Sequence, residues 1–100
     1  MGVLRPNIPP HVAEVIRHLP PDVKRSVKQA LRVLSADPSA GEPLRRELEG
    51  LLKYRVRRYR IVYAPDRSRR VLKVFGVGHR SAIYEQVAET LRGKPQRSLS

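Results

Sequence analysis

The chain has 100 residues, 40% of them hydrophobic, which is enough for one compact α+β core but not for two cores or a deeply enclosed site. Its 21 Lys and Arg against 9 Asp and Glu give a formal charge of +12, so a polyanion is the expected partner. Zero cysteines exclude disulfides, thiolate catalysis and cysteine-type zinc sites. There is no apolar run of about 18 residues and no basic helix with a strong apolar face, so nucleic acid is favoured over a membrane. The start, Met1 to Pro6, has no apolar stretch of signal-peptide length, and a cytoplasmic location is expected.

In chain order, Val3 to Ile8 predicts a short first strand, which Pro6, Pro9 and Pro10 confine to a sheet edge. After Pro9-Pro10, the residues Val12, Val15, Ile16 and Leu19 recur at helical spacing, and Pro20-Pro21 closes that helix and opens the next. In the second helix Val23, Val27, Ala30, Leu31 and Leu34 form an apolar stripe, while Lys24, Arg25, Lys28 and Arg32 face water. Asp37 to Pro43 is rich in turn residues and ends the helical half.

From there the period changes to two. Lys53 to Arg57, Tyr59 to Tyr63 and, after the turn at Asp66-Arg67-Ser68, Val71 to Phe75 read as three strands of an antiparallel meander. Ser81 is a candidate cap for a last helix with Tyr84, Val87, Ala88 and Leu91 on one face, which Gly93-Lys94-Pro95 ends. The expected fold is α+β, an N-terminal helical hairpin packed on one face of the meander with a short C-terminal helix. Residues 1–95 are expected to form one domain and 96–100 a flexible tail.

The charge is concentrated in the strands. Between Leu52 and Arg80 stand Lys53, Arg55, Arg57, Arg58, Arg60, Arg67, Arg69, Arg70, Lys73 and Arg80 against Asp66 alone, so this segment carries +9 of the +12. Alternation puts Lys53, Arg55 and Arg57 on one face and Tyr54 and Val56 on the other. A solvated charged face is the plain interpretation of such a run. Against it, a surface that needs only solubility mixes both signs, whereas one-signed charge at this density repels itself without a bound polyanion.

Gly76-Val77-Gly78-His79-Arg80-Ser81 ends a strand and begins a helix, a junction whose free N–H groups and arginine suit a phosphate. An ordinary glycine-containing turn fits the spacing equally well. Tyr84 follows Ser81 by three residues and is a candidate proton acceptor among guanidinium groups, or a core tyrosine with an exposed hydroxyl.

Leu52 to Tyr63, the turn and apolar strand that follow, and Val77-Gly78-His79-Arg80-Ser81-Ala82-Ile83-Tyr84 together resemble the RelE/ParE superfamily of toxins, over roughly residues 3 to 92. Resemblance to the RelE branch implies the toxin of a type II toxin–antitoxin system with a RelE-like microbial RNase fold. Such a toxin is a ribosome-dependent endoribonuclease that cuts messenger RNA in the ribosomal A site by attack of the ribose 2′-hydroxyl on the adjacent phosphate, with no metal and no cofactor. It implies Lys53, Arg55, Arg60, Arg80 and Tyr84 as catalytic residues, and Arg57, Arg58, Lys73, His79 and Ser81 as RNA-binding ones. Arginine hardly exchanges protons, so charge stabilisation is its more secure role. His79 is chemically able to act as acid or base, with a structural or phosphate-contact role favoured.

Ribosomal RNA and an acidic RelB-like antitoxin are the further implied partners, and the free chain is expected to be monomeric. Arg57-Arg58 stands where relatives often carry Gly in the first hairpin turn, and neither adopts positive φ cheaply, which leaves a longer turn open. The alternatives are a ParE-like inhibitor of DNA gyrase without nuclease activity and a non-catalytic RNA-binding module.

Overall fold

The computed structural model describes residues 3–93; the tail expected after Pro95 lies outside them. Pro10 and Pro21 each open a helix, α1 (Pro10–Arg17) and α2 (Pro21–Ala36). Proline suits the first helical position because its φ is already helical and its missing N–H would have no intrahelical partner there. The expected apolar stripes are buried: Val12 and Ile16 on α1, and Val23, Val27, Ala30, Leu31 and Leu34 on α2.

Strands β1 (Arg5–Asn7), β2 (Glu42–Pro43), β3 (Leu52–Val56), β4 (Tyr59–Asp66) and β5 (Val71–His79) form one sheet in the order β1-β5-β4-β3-β2. The last three are the expected antiparallel meander. β1 departs from it by pairing parallel to β5, Arg5 opposite Val71, so the sheet is mixed. Its edge position is the one the prolines require.

Helices cover both faces of the sheet, not one. On the first face α1 and α2 pack on Val56, Ile61, Tyr63, Leu72, Val74 and Val77. On the second, α3 (Arg80–Leu91) packs Ile83, Val87 and Ala88 against Val62, Leu48 and Leu51. A bulge in β5 changes which of its residues face each layer. Val62 pairs with Gly76 but Tyr63 with Val74, which leaves Phe75 as an extra residue and reverses the alternation beyond it. Val74 and Val77 therefore share the first face despite their odd spacing, and Gly76 turns to the second. A Cβ at Gly76 would lie 2.7 Å from Ile83 Cδ1 and 2.9 Å from Val87 Cγ2, so glycine here is what lets α3 lie flat on the sheet.

Tyr63 fixes the connection between the halves. Its side chain is fully buried, and its hydroxyl donates to the Pro38 carbonyl at 2.6 Å and accepts from the Gly41 N–H at 2.9 Å. Burial pushes its pKa above the ordinary 10.0. Among the described residues no helix is long and apolar enough to cross a membrane.

Candidate functional site

Side-chain alternation and strand register bring Lys53, Arg55 and Arg60 to the α3 face. Arg55 lies directly opposite Arg60, and Arg60 opposite Gly78, so two guanidinium groups and a bare backbone stand in one row across β3, β4 and β5. β5 then runs into α3 without a loop. The helix begins at Arg80 after an extended His79, two residues earlier than a cap at Ser81 would place it, and no side chain caps it: Ser81 lies inside its first turn. No acid sits in that turn either, which leaves its N–H dipoles uncompensated beside Arg80.

The outcome is a surface cavity of about 390 Å³ lined by Arg55, Arg57, Arg58, Arg60, His79, Arg80 and Ser81, five arginines and no carboxylate. Arg60 is half-buried, donating from Nη1 to the Tyr59 carbonyl at 2.9 Å, while Arg80 and Ser81 are exposed. His79 stacks on Tyr59 with ring centroids 4.5 Å apart. Register makes that pair, since Tyr59 and His79 are cross-strand partners.

Arg55 and Arg60 also border a second cleft of about 400 Å³ that holds Lys53. Lys53 Nζ is 5.8 Å from the centre of the half-buried Tyr84 ring and 3.9 Å from Glu42. Tyr84 itself opens into a third cleft, with Arg45, Arg46, Glu47 and Arg92, and Ser81 borders both this and the arginine cavity. Four of the five residues expected to be catalytic thus converge through the shared Arg55 and Arg60, and Tyr84 joins them beside Lys53 across the first turn of α3. Lys73 does not join them. It lies six residues before His79 on β5, about 20 Å along the strand, and its Nζ is 3.9 Å from Asp66.

The hairpin turn is the tight one. Val56 pairs with Tyr59, which leaves Arg57 and Arg58 as the two turn residues, and Arg57 takes a left-handed φ of +56°. Arg57 Nη1 donates to Asp22 Oδ2 at 2.8 Å, a hydrogen bond that holds the Asp22 carboxyl below the usual carboxylate range. Asp22 and Tyr59 were invisible as site residues in the sequence, because their roles come from pairings across 35 and 20 positions. Arg45-Arg46 was visible as a basic pair outside the densest charge run, but nothing local ties it to Tyr84.

Chemically, this arrangement is suited to an anion such as a phosphodiester: planar donors line one cavity, next to an ammonium and a phenol.

Comparison with known proteins bears on what such a site serves. Residues 11–84 match the family described as the ParE toxin of a type II toxin-antitoxin system, parDE. The chain is 36% identical over 73 residues to Toxin RelG of Mycobacterium tuberculosis, covering 71% of this chain and 84% of that one. Its fold resembles the toxin-antitoxin complex RelBE2 from Mycobacterium tuberculosis, with a TM-score of 0.72 at 29% identity over 81% of this chain and 95% of that one. A mutant of the Escherichia coli toxin RelE in the free state gives 0.73 at 22% identity over 92% and 99%. The archaeal RelE–RelB complex from Pyrococcus horikoshii gives 0.65 at 20% over 79% and 97%. At those last two identities the likeness is one of fold.

Proposed function

Because this chain belongs to the RelE/ParE superfamily of toxins from type II toxin–antitoxin systems, we propose that it is a ribosome-dependent endoribonuclease acting on messenger RNA in the A site. The 2′-hydroxyl loses its proton and attacks the adjacent phosphorus; the bond to the 5′-oxygen breaks, and that oxygen takes up a proton. In this reading Arg60 and Arg80 hold the scissile phosphate and stabilise the phosphorane, with Arg80 also a donor to the departing oxygen. Lys53 and Arg55 orient the phosphate, and Tyr84 serves as base or as a stacking surface for a base. The chemistry asks for no metal, since guanidinium and ammonium groups supply the positive charge.

The observation that supports it most is the meeting of Arg55, Arg60 and Arg80 around one cavity with Lys53 and Tyr84 adjoining. A gyrase binder has no physical need to converge basic groups and a phenol. The test is to add the purified protein to programmed ribosomes and map the ends of the message. Codon-phased cuts that disappear with Arg80→Ala support the nuclease; intact messages reject it.

The match to a ParE family gives substance to a second reading, inhibition of DNA gyrase by binding. Loss of gyrase supercoiling with messages intact would select it. An acidic RelB-like antitoxin is the proposed physiological partner, supported by the +12 charge and by similar toxins solved as complexes with antitoxins. Full cleavage in the presence of excess cognate antitoxin would count against that pairing.

A further inference from the structure

Arg55 and Arg60 pose a problem the nuclease reading leaves open: directly opposed like charges repel, yet the site requires both to point into one cavity. Both donate to the same acceptor, the Arg57 carbonyl, from Arg55 Nε and Arg60 Nη1 at 3.4 Å each. That carbonyl points where it does because Arg57 holds a left-handed φ of +56°, a conformation disfavoured for any residue with a Cβ. Arg46 and Arg70 hold a left-handed φ as well, at +59° and +58°, but among the described residues Arg57 alone of the three has its side chain hydrogen-bonded to another element. The Arg57 side chain crosses to the first turn of α2 and donates to Asp22 Oδ2 at 2.8 Å, next to the rigid Pro20-Pro21.

We infer that the Asp22–Arg57 ion pair is a tether that orients Arg55 and Arg60 toward the phosphate, which makes Asp22 and Arg57 positioning residues of the proposed site. This rests on the nuclease reading. Both side chains are about half exposed, at 55% and 53%, where an ion pair adds little to overall stability. A glycine would adopt the same φ without strain, so the backbone of this turn by itself does not call for an arginine. Among the described residues the tether has no counterpart on the Lys53 side, where the contact of this kind is the looser 3.9 Å approach to Glu42.

The experiment compares the full chain with Asp22→Asn, Asp22→Glu, Arg57→Gly and the double variant Asp22→Asn/Arg57→Gly. It measures kcat and KM on programmed ribosomes and, in the isolated protein, the order of the Arg55 and Arg60 Nε–H groups by NMR. Asp22→Asn is expected to lower kcat about tenfold with KM nearly unchanged, because misplacing a charged group affects the transition state most. Asp22→Glu should recover most of that loss, and the double variant should lose no more than Arg57→Gly alone, the mark of two groups acting as one unit. The Arg55 and Arg60 signals should become as mobile as exposed arginines in the variants. Unchanged arginine order in Asp22→Asn, or additive losses in the double variant, overturns the tether. A full chain that cuts no RNA while its arginines still loosen in Asp22→Asn rejects the nuclease reading and keeps the tether.

Discussion

The two faces of the sheet divide the work of the molecule. The face under α1 and α2 is a continuous apolar layer from Leu4 to Val77 that includes fully buried Val27, Leu34, Ile61, Tyr63 and Leu72. The face under α3 has a smaller core around Val62, Ile83 and Val87, and beyond it the same strands carry Lys53, Arg55 and Arg60. Gathering arginines is electrostatically unfavourable, so the second face is tolerable only because the first supplies most of the apolar burial. The comparison predicts that damage to the first face shows as lost folding and damage to the second as lost chemistry.

The sharpest way to break it is a cavity on the first face. Leu34→Ala should cost about 2–5 kcal/mol of stability by urea unfolding, while the specific activity of the molecules that remain folded is unchanged. On the second face, Arg60→Ala or Arg80→Ala should lower kcat by about 10²–10³, roughly 2.7–4 kcal/mol of transition-state stabilisation, with the midpoint of unfolding hardly moved. Equal losses in ribosome binding and in cutting would refute that assignment.

Gly76→Ala tests the packing that joins the two regions. It should destabilise by about 1–3 kcal/mol, because Ile83 and Val87 must shift, and should lower activity too by displacing α3. Tyr63→Phe should cost a comparable 1–3 kcal/mol by leaving the Pro38 carbonyl and Gly41 N–H unpaired. Its pH dependence gives a second check. The folded-state pKa of Tyr63 is raised, so its contribution is fully present below 10.0 and is lost as pH rises through the folded value; Tyr63→Phe should flatten the alkaline limb of the stability curve.

The smallest effect is acidic. Asp22 and Asp66 have lowered pKa values, chiefly from the hydrogen bonds of Arg57 and Ser68, so their stabilisation is present above 3.8 and disappears as pH falls below it. Asp22→Asn should remove only a slight part of the acid limb, which would agree with a tether whose importance is local.

Much of the architecture is written in local pattern. Prolines at 9–10 and 20–21 delimit the helices, the 3.6-residue stripes of α1 and α2 coincide with their buried residues, and the change to period two marks the meander. The sequence by itself also determined that a dense positive charge would sit on one side of β3, and that the Gly-His-Arg stretch would join a strand to a helix. Such features depend on neighbours a few residues apart, where covalent geometry dictates direction.

Only the tertiary structure decided the rest. The parallel pairing of β1, the bulge at Phe75 that turns Gly76 toward α3, and the register that sets Arg55 against Arg60 and Gly78 are choices among hydrogen-bond partners far apart in the chain. Lys73 and Arg60 are equally basic in the sequence, yet one ends beside Asp66 and the other in the arginine cavity. Periodicity states which residues share a face, but which strands lie side by side and where a bulge reverses the alternation follow from packing the whole core at once.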